Sequence, residues 1–237
     1  KTYSQIIKDL RNVADEGKKT VLPRFFKTGP GEYGEGDRFL GVVVPSTRKV
    51  AKIHKDASYE VLEALLESEW HECRLCALLI LIEKYRKDQE GAVNFYLSHL
   101  SGINNWDLVD LSAPYILGDY LLEKGDRSVL YELAESDNMW EQRIAIVSTL
   151  MLIRHDQFDD TIRLAESFVG TRHDLIRKAV GWMLREVGKR DQKRLENFLE
   201  AYMRVMPRTM LRYAIEKFPP EQRRYYMVTS VSTTVKQ

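Results

Sequence analysis

The apolar residues of this chain recur at helical spacing in nearly every segment, and almost no segment alternates as a β-strand would. Two stripes show the spacing i, i+3, i+4 and i+7: Leu75, Leu78, Leu79 and Ile82, and then Val180, Met183, Leu184 and Val187. Glycines and prolines fall between the periodic runs, where helices end or begin. The pattern predicts an all-α protein of roughly a dozen helices.

A small alanine recurs ahead of the apolar stripe in successive helices. The alanines lie 32 to 36 residues apart, at Ala77, Ala113, Ala145, Ala179 and Ala214. A repeat of this length built from helix pairs is typical of an α-solenoid, in which the small residue lets two helices approach closely. We therefore expect one domain of HEAT-like repeats over residues 1–237, with inner helices that line a concave surface.

A glycine-rich loop at residues 28–38 interrupts the helices and contains the spacing G-x-G-x-x-G at Gly29, Gly31 and Gly34. We reject a dinucleotide site, because no strand precedes the loop and its carboxylates would repel a pyrophosphate. We interpret it as a flexible surface loop between two helices, which could still touch a ligand.

Metal and redox chemistry have little support in the sequence. Cys73 and Cys76 form one C-x-x-C pair, but no second pair or histidine stands at ligand spacing. Their segment is periodic as a helix, so we expect small buried hydrophobes instead of a redox pair. The five histidines form no metal-ligand pattern, and no serine sits in a nucleophile motif. We expect no metal and no cofactor.

The charges of the chain are distributed unevenly. The net charge is +1, but residues 1–138 hold 18 Lys+Arg against 23 Asp+Glu, a net of −5, and residues 139–237 hold 18 against 12, a net of +6. The second half can present a basic surface although the whole protein is nearly neutral. No apolar run reaches the roughly 20 residues that span a bilayer. No leader is recognisable, so we expect a cytoplasmic protein that does not bind a membrane.

The segment NWDLVDLSAPYILGDYLL, residues 105–122, is periodic as one helix and places Trp106 and Asp110 one turn apart on the same face. In basic surroundings, a carboxylate at this position would repel DNA phosphate. Two explanations stay open from the residues alone. Asp110 could form a structural hydrogen bond to a neighbouring repeat, or it could stabilise a positive charge that develops during a reaction.

A second stripe occupies the helix around residue 182. It holds Lys178, Trp182, Arg185 and Lys189 at i, i+4, i+7 and i+11, and suits a polyanion whose sugars or bases pack on the ring. The alternative is a Trp at a helix–helix contact whose charged neighbours extend to water. Arg143 and Arg212 each stand two residues before a repeat alanine, as Arg177 does, and extend the basic row.

These segments resemble the AlkD-type DNA alkylation repair glycosylases, whose fold is a HEAT-like α-solenoid. The resemblance runs from about Leu22 to about Lys217 and rests on a W-x-x-x-D step, an Arg after D-N-x-W-x-Q, and a G-W-x-L-R-E helix. It implies that Trp106 and Trp182 are aromatic walls and that Asp110 is the catalytic acid residue. It also implies a phosphate contact at Arg143 and a place for Arg185 on the DNA face. Asn105 stands where a relative has a second Trp.

The resemblance implies hydrolysis of the N-glycosidic bond of cationic alkylated purines, such as 3-methyladenine and 7-methylguanine, in double-stranded DNA. It implies no metal and no cofactor, and we expect a monomer. Two other readings stay open. A DNA-binding protein without catalysis that recognises damaged or branched DNA would share the basic row, and a protein-binding scaffold would have mixed charge on its concave face.

Overall fold

The structure, a computed structural model, describes residues 2–230. In this range every regular element is helical, and the nearest approach to a strand is one isolated bridge between Arg38 and Trp70. The all-α prediction is therefore confirmed. The α-helices are α1 Tyr3–Asn12, α2 Glu16–Phe25, α3 Val44–Ile53, α4 Tyr59–Leu66, α5 His71–Tyr85, α6 Gln89–Ser98, α7 Trp106–Asp110, α8 Ser128–Ala134, α9 Met139–Arg154, α10 Asp159–Phe168, α11 Asp174–Arg190, α12 Gln192–Tyr202, α13 Arg208–Ala214 and α14 Pro220–Thr229. Short 3₁₀ turns lie at Leu100–Gly102 and Leu121–Glu123, and a π-helix lies at Pro114–Gly118.

The chain divides into two compact units, Lys1–Tyr120 and Leu121–Gln237. The first contains α1 to α7 and the π-helix, and the second contains α8 to α14. In the first unit α5 is the central helix, and it packs against α3, α4, α6 and α7. In the second unit α11 packs against α9, α10, α12 and α13. One domain over residues 1–237 and a concave surface stay predictions.

The repeat alanines lie where helices pack together, as the sequence predicts. All five are at most 1% exposed: Ala77, Ala113, Ala145, Ala179 and Ala214. Gly181 adds a still closer contact between α11 and α13, because a Cβ there would lie 2.5 Å from Cβ of Tyr213 and 2.6 Å from the carbonyl oxygen of Met210. The stacking of helix pairs agrees with the α-solenoid of helical repeats that the sequence predicts.

The two cysteines lie in α5 and are fully buried. Burial raises the pKa of the Cys73 thiol to about 11 and that of the Cys76 thiol to about 12. Both side chains are free thiols packed in the core of the first unit, where the helical periodicity predicted them. Within residues 2–230, no helix is long and apolar enough to cross a membrane.

Candidate functional site

Trp106 and Asp110 are the first and last residues of α7, a helix of five residues. The sequence predicted one continuous helix over residues 105–122, and that prediction is wrong. The chain turns after Asp110 and continues as a π-helix from Pro114, a residue whose backbone nitrogen carries no hydrogen to donate. The break leaves Trp106 and Asp110 one turn apart on a short helix, on the same face, as predicted.

Both side chains line one cleft of about 460 Å³ in the first unit. Most of its walls are apolar, and its polar lining includes the carboxylates of Asp107 and Asp110. The cleft is lined by Leu22, Phe25, Phe26, Phe39, Val42, Val43, Val44, Pro45, His71, Glu72, Leu75, Trp106, Asp107, Asp110 and Leu111. Water is a poorer competitor in such surroundings, so a carboxylate interacts more strongly with a nearby charge than it would at an open surface.

Four aromatic rings line the cleft and contact one another. The rings of Phe26 and Trp106 are stacked with centroids 5.4 Å apart, and Phe25 meets Trp106 edge-on at 5.8 Å. Phe39 also stacks on Phe26, with the two ring centroids 5.1 Å apart. Phe25 is 57% exposed, so an aromatic surface continues from the cleft to its rim.

The carboxylate of Glu72 shapes one wall of the cleft. It is buried at the start of α5 and accepts three backbone hydrogen bonds, from the N–H groups of Leu40, Gly41 and Val42 at 2.9–3.0 Å. Gly41 has φ of +93°, a conformation that favours glycine, and a Cβ there would lie 2.4 Å from the carbonyl oxygen of Asp15. Glu72 thereby fixes the segment that leads into α3, and this segment supplies the valines that line the cleft.

The amino end of α7 is held by the residues beside Trp106. Asn105 is fully buried, and its side-chain oxygen accepts the N–H of Trp106 at 2.8 Å. Asp107 accepts a hydrogen bond from Nε2 of His71 at 2.8 Å and another from the N–H of Leu108 at 2.9 Å. Each contact fixes the helix on which Trp106 and Asp110 stand.

His71 is buried between two carboxylates, since its Nδ1 also lies 3.2 Å from Asp37 of the glycine-rich loop. Burial opposes a charge on this ring, but the hydrogen bonds to Asp107 and Asp37 outweigh it and raise the His71 pKa to about 9. Burial also opposes the charge on Asp37, and His71 and Arg74 outweigh it, so that its pKa is lowered. At neutral pH the imidazole is therefore positively charged.

The glycine-rich loop lies between α2 and α3, as predicted, but it is more than a surface connection. A Cβ on buried Gly34 would lie 2.4 Å from the carbonyl oxygen of Phe26 and 3.3 Å from Nδ2 of Asn105. Asp37 lies near the end of the loop, and its carboxylate accepts a hydrogen bond from Arg74 at 2.7 Å. Asp37 and His71 were not predicted from the sequence, and the one available signal was the charged H-E-C-R start of an otherwise apolar helix, α5.

The remaining predicted site residues lie in the second unit. Trp182 is half-buried on α11, and the three cations of its stripe each pair with a carboxylate. Lys178 pairs with Asp174 at 2.8 Å, Lys189 pairs with Glu186 at 2.9 Å, and Arg185 pairs with Glu186 and Glu216. A phosphate at this stripe would compete with these acids, and phosphate contacts here stay a prediction.

Arg143 and Arg212 differ in exposure. Arg143 on α9 is 6% exposed and donates from Nη1 to the carbonyl oxygen of Leu175 at 2.6 Å, whereas Arg212 on α13 is exposed. The bond to Leu175 joins consecutive repeats, so Arg143 has a structural contact besides the phosphate contact that the resemblance implies. Within residues 2–230, no group of three or more His, Cys, Asp and Glu side chains is placed to hold a metal.

Comparison with known proteins agrees with the motifs. The sequence matches the family described as "DNA alkylation repair enzyme" over residues 6–218. The fold is similar to that of a predicted DNA alkylation repair enzyme from Enterococcus faecalis, with a TM-score of 0.73 and 17% identity. That similarity covers 87% of this chain and 97% of the other. No curated protein matches the sequence. Because the family match spans nearly the whole chain, this chain belongs to the DNA alkylation repair enzyme family.

Proposed function

We propose that this protein is a DNA glycosylase that hydrolyses the N-glycosidic bond of cationic alkylated purines, such as 3-methyladenine and 7-methylguanine, in duplex DNA. The observation that carries the proposal is the position of an aromatic ring and a carboxylate, Trp106 and Asp110, on the lining of one cleft. Membership in the family assigns the chain to DNA alkylation repair, and the cleft offers chemistry suited to that role.

The substrate class follows from the residues that the cleft offers. A purine alkylated at a ring nitrogen already carries a positive charge, so it can leave as a neutral base without a general acid. As the bond to the base lengthens, the charge passes to the sugar, which becomes oxocarbenium-like, and water then adds to the anomeric carbon. The reaction therefore needs stabilisation of a positive charge on the sugar and a positioned water.

Asp110 and Trp106 supply these two needs. The carboxylate of Asp110 would stabilise the developing charge and accept a hydrogen bond from the attacking water. The face of Trp106 would attract the same charge by roughly 0.5–2 kcal/mol, as aromatic rings attract cations. The apolar walls strengthen both effects because they exclude water. Trp182 is assigned to catalysis only by the resemblance of its G-W-x-L-R-E helix.

Basic residues of the second unit are proposed to bind the DNA backbone. We propose that Arg143, Lys178, Arg185, Lys189 and Arg212 contact phosphates of the duplex, since cations held near a phosphate release bound counterions and favour binding. These contacts are independent of the base sequence, which suits an enzyme that must find rare lesions anywhere in a genome.

The test measures free bases released from methylated duplex DNA under excess enzyme, with the spontaneous release subtracted. Asp110→Asn should bind the duplex as the wild type does and melt at the same temperature, because the amide keeps much of the hydrogen bonding. Its excision rate should fall on the order of 10²–10³-fold, as when other preorganised electrostatic groups are removed.

Asp56→Asn is the matched control, since Asp56 is an exposed carboxylate of the same unit outside the cleft. It should excise at the wild-type rate.

Three outcomes would contradict the proposal at different points. Wild-type excision by Asp110→Asn would show that Asp110 is not the catalytic carboxylate. A loss of excision that follows the unfolded fraction would make Asp110 a structural contact. Binding of methylated duplex without release of any base, by the wild type itself, would favour the DNA-binding protein without catalysis.

A further inference from the structure

The helix α7 is too short to be stable alone. It has five residues, fewer than two turns, and isolated helices below roughly 12–15 residues are marginal in water. Its first and last residues, Trp106 and Asp110, are the ones to which the proposed function assigns the chemistry. Contacts from other elements must therefore fix the direction in which these two side chains point.

One of these contacts is made by a buried chain of hydrogen bonds among four charged side chains. Asp107, inside α7, bonds to Nε2 of His71 at 2.8 Å, and Nδ1 of His71 lies 3.2 Å from Asp37. Asp37 in turn accepts from Nη2 of Arg74 at 2.7 Å, and Nη1 of Arg74 donates to the carbonyl oxygen of Ser68 at 2.7 Å. The side chains of the four charged residues are between 2% and 6% exposed. The chain joins the glycine-rich loop, α5 and α7.

The geometry of this chain requires a particular protonation state. A neutral imidazole can donate from one nitrogen, yet both nitrogens of His71 face carboxylate oxygens, which only accept. Both contacts are favourable hydrogen bonds only when both nitrogens carry protons. The chain then holds two anions and two cations and has no net charge, as a buried group of charges needs. Loss of the His71 proton would leave a net negative charge and a repulsive contact with one carboxylate.

A second set of contacts, made by stacked aromatic rings, connects the imidazole of His71 to Trp106. The rings of Phe26 and Phe39 pack on His71 with centroids 4.8 and 4.7 Å away, and Phe26 stacks on Trp106. A positively charged imidazole favours these contacts, because the face of an aromatic ring attracts cations. His71 thus reaches α7 through a hydrogen bond to Asp107 and through the stacked ring of Phe26.

We propose that doubly protonated His71 is a positioning residue for base excision. With Asp37, Arg74 and Asp107, it holds α7 so that Trp106 and Asp110 face the cleft. The inference rests on the proposed function for its effect on rate, but its effect on α7 is independent of that function. The charged groups around the ring are Asp37 from the loop, Glu72 and Arg74 from α5, and Asp107 and Asp110 from α7. Deprotonation of the ring should therefore loosen α7 and slow excision without weakening duplex binding.

The test compares His71→Phe with the wild type. The phenyl ring preserves packing on Phe26 and Phe39 but donates no hydrogen bond. Single-turnover excision should fall on the order of 10², because a displacement of about 1 Å in reacting groups has such an effect. Amide hydrogen exchange at pH 7 should quicken at residues 106–111. His54→Gln is the matched control, because His54 is a buried histidine of the same unit bonded to Asp9 at 2.7 Å. It should leave both measurements unchanged.

The pH profile separates positioning from a general loss of folding. Wild-type excision, corrected for the reaction without enzyme, should decline as the pH rises through about 9, where His71 loses its proton. Asp37→Asn removes one of the two carboxylates that favour the charged ring, so its decline should begin at lower pH. His71→Phe should show no such decline. If His71→Phe destabilises the unit, Asp37→Asn still decides the question through this shift.

The results that overturn the inference differ from those that overturn the proposed function. A wild type that releases no base would contradict the proposed function, and hydrogen exchange at residues 106–111 would still test the positioning. Unchanged exchange in His71→Phe would overturn the positioning whatever the activity. The same would follow from an unshifted profile in Asp37→Asn, or from equal effects of His54→Gln.

Discussion

His71 carries a positive charge at a place where burial alone would remove it. The carboxylates of Asp107 and Asp37 raise its pKa from 6.5 to about 9. A folded-state pKa above the unfolded value means that the native state binds the proton more tightly. The resulting stability is fully present below about pH 6.5 and is lost as the pH rises through about 9. The sign is opposite to that of Asp37, whose lowered pKa contributes stability above pH 3.8 that is lost on acidification.

We therefore expect the melting temperature of the wild type to fall between pH 6.5 and pH 9.5. His71→Gln cannot lose a proton, so its melting temperature should be lower at pH 6.5 but change less over this interval. Over this interval the melting temperature of the wild type should fall by at least about 4 °C more than that of His71→Gln, since each kcal/mol shifts the melting temperature of a domain of this size by roughly 2–4 °C. Differential scanning calorimetry at several pH values measures it. Parallel curves would show that His71 is neutral in the folded state.

The residues of the site differ in how far the sequence could predict them. Trp106 and Asp110 share a helix, so their spacing alone placed them on one face, and the structure puts both on the cleft. His71 lies 34 residues from Asp37 and 36 from Asp107, and these pairs form only through the path of the glycine-rich loop. Spacing carries no information about such contacts. The assignment of Asp110, Trp106 and Trp182 to catalysis stays a prediction.

At the scale of helices, the apolar stripes and repeat alanines predict which faces are buried, because a helix presents residues three and four apart to the same neighbour. The interruption after Asp110 was not predicted. The helical spacing of apolar residues continues through Pro114, and the 3.6-residue period cannot show where backbone hydrogen bonds change partners. The hydroxyl of Ser112 donates to the carbonyl oxygen of Leu108 at 2.5 Å, which competes with regular helix pairing at this point.

Replacement of Gly181 by alanine tests whether the stability of the protein depends on the close packing of α11 against α13. Glycine is normally unfavourable inside a helix by roughly 1 kcal/mol, so Gly181→Ala would stabilise an isolated α11. Here we expect destabilisation of roughly 1–3 kcal/mol, because a Cβ would press on the backbone at Met210 and the helices would have to separate. Urea unfolding measures the change. Gly125→Ala is the control, since a Cβ there has nothing within 4 Å. Equal stability of the two variants would mean that α13 can move away from α11 at little cost in free energy.

At the scale of the whole molecule, the charge is nearly balanced, and its distribution is what matters for binding DNA. Residues 139–237 have a net charge of +6 and residues 1–138 have −5. Duplex binding should depend on the cations of the second unit, although Lys178 and Arg185 must exchange their carboxylate partners for phosphate. For Lys178 such exchange is compatible with phosphate binding, because exposed ion pairs contribute little in water, whereas the ion pairs of Arg185 are partly buried.

Replacement of Lys178, Arg185 and Arg212 by Glu should abolish duplex binding at about 0.1 M salt. At lower salt, where residual binding can be measured, the slope of log affinity against log salt should decrease by roughly 0.9 for each lost phosphate contact. The control replaces Lys193, Arg204 and Arg172, three exposed cations of the same unit, and makes the same change in net charge. Fluorescence anisotropy with an unmodified duplex measures both. Retained binding in the first variant would place the DNA on another surface.

The burial of the two thiols of α5 affects how this protein reacts with alkylating agents, the compounds that cause the damage its family repairs. Alkylating agents are electrophiles, and the thiolate is the form of cysteine that reacts with electrophiles. With pKa values of about 11 and about 12, Cys73 and Cys76 remain protonated, and both are closed off from solvent. These two cysteines therefore offer an alkylating agent no accessible thiolate, and the core of the first unit is protected from modification at both positions.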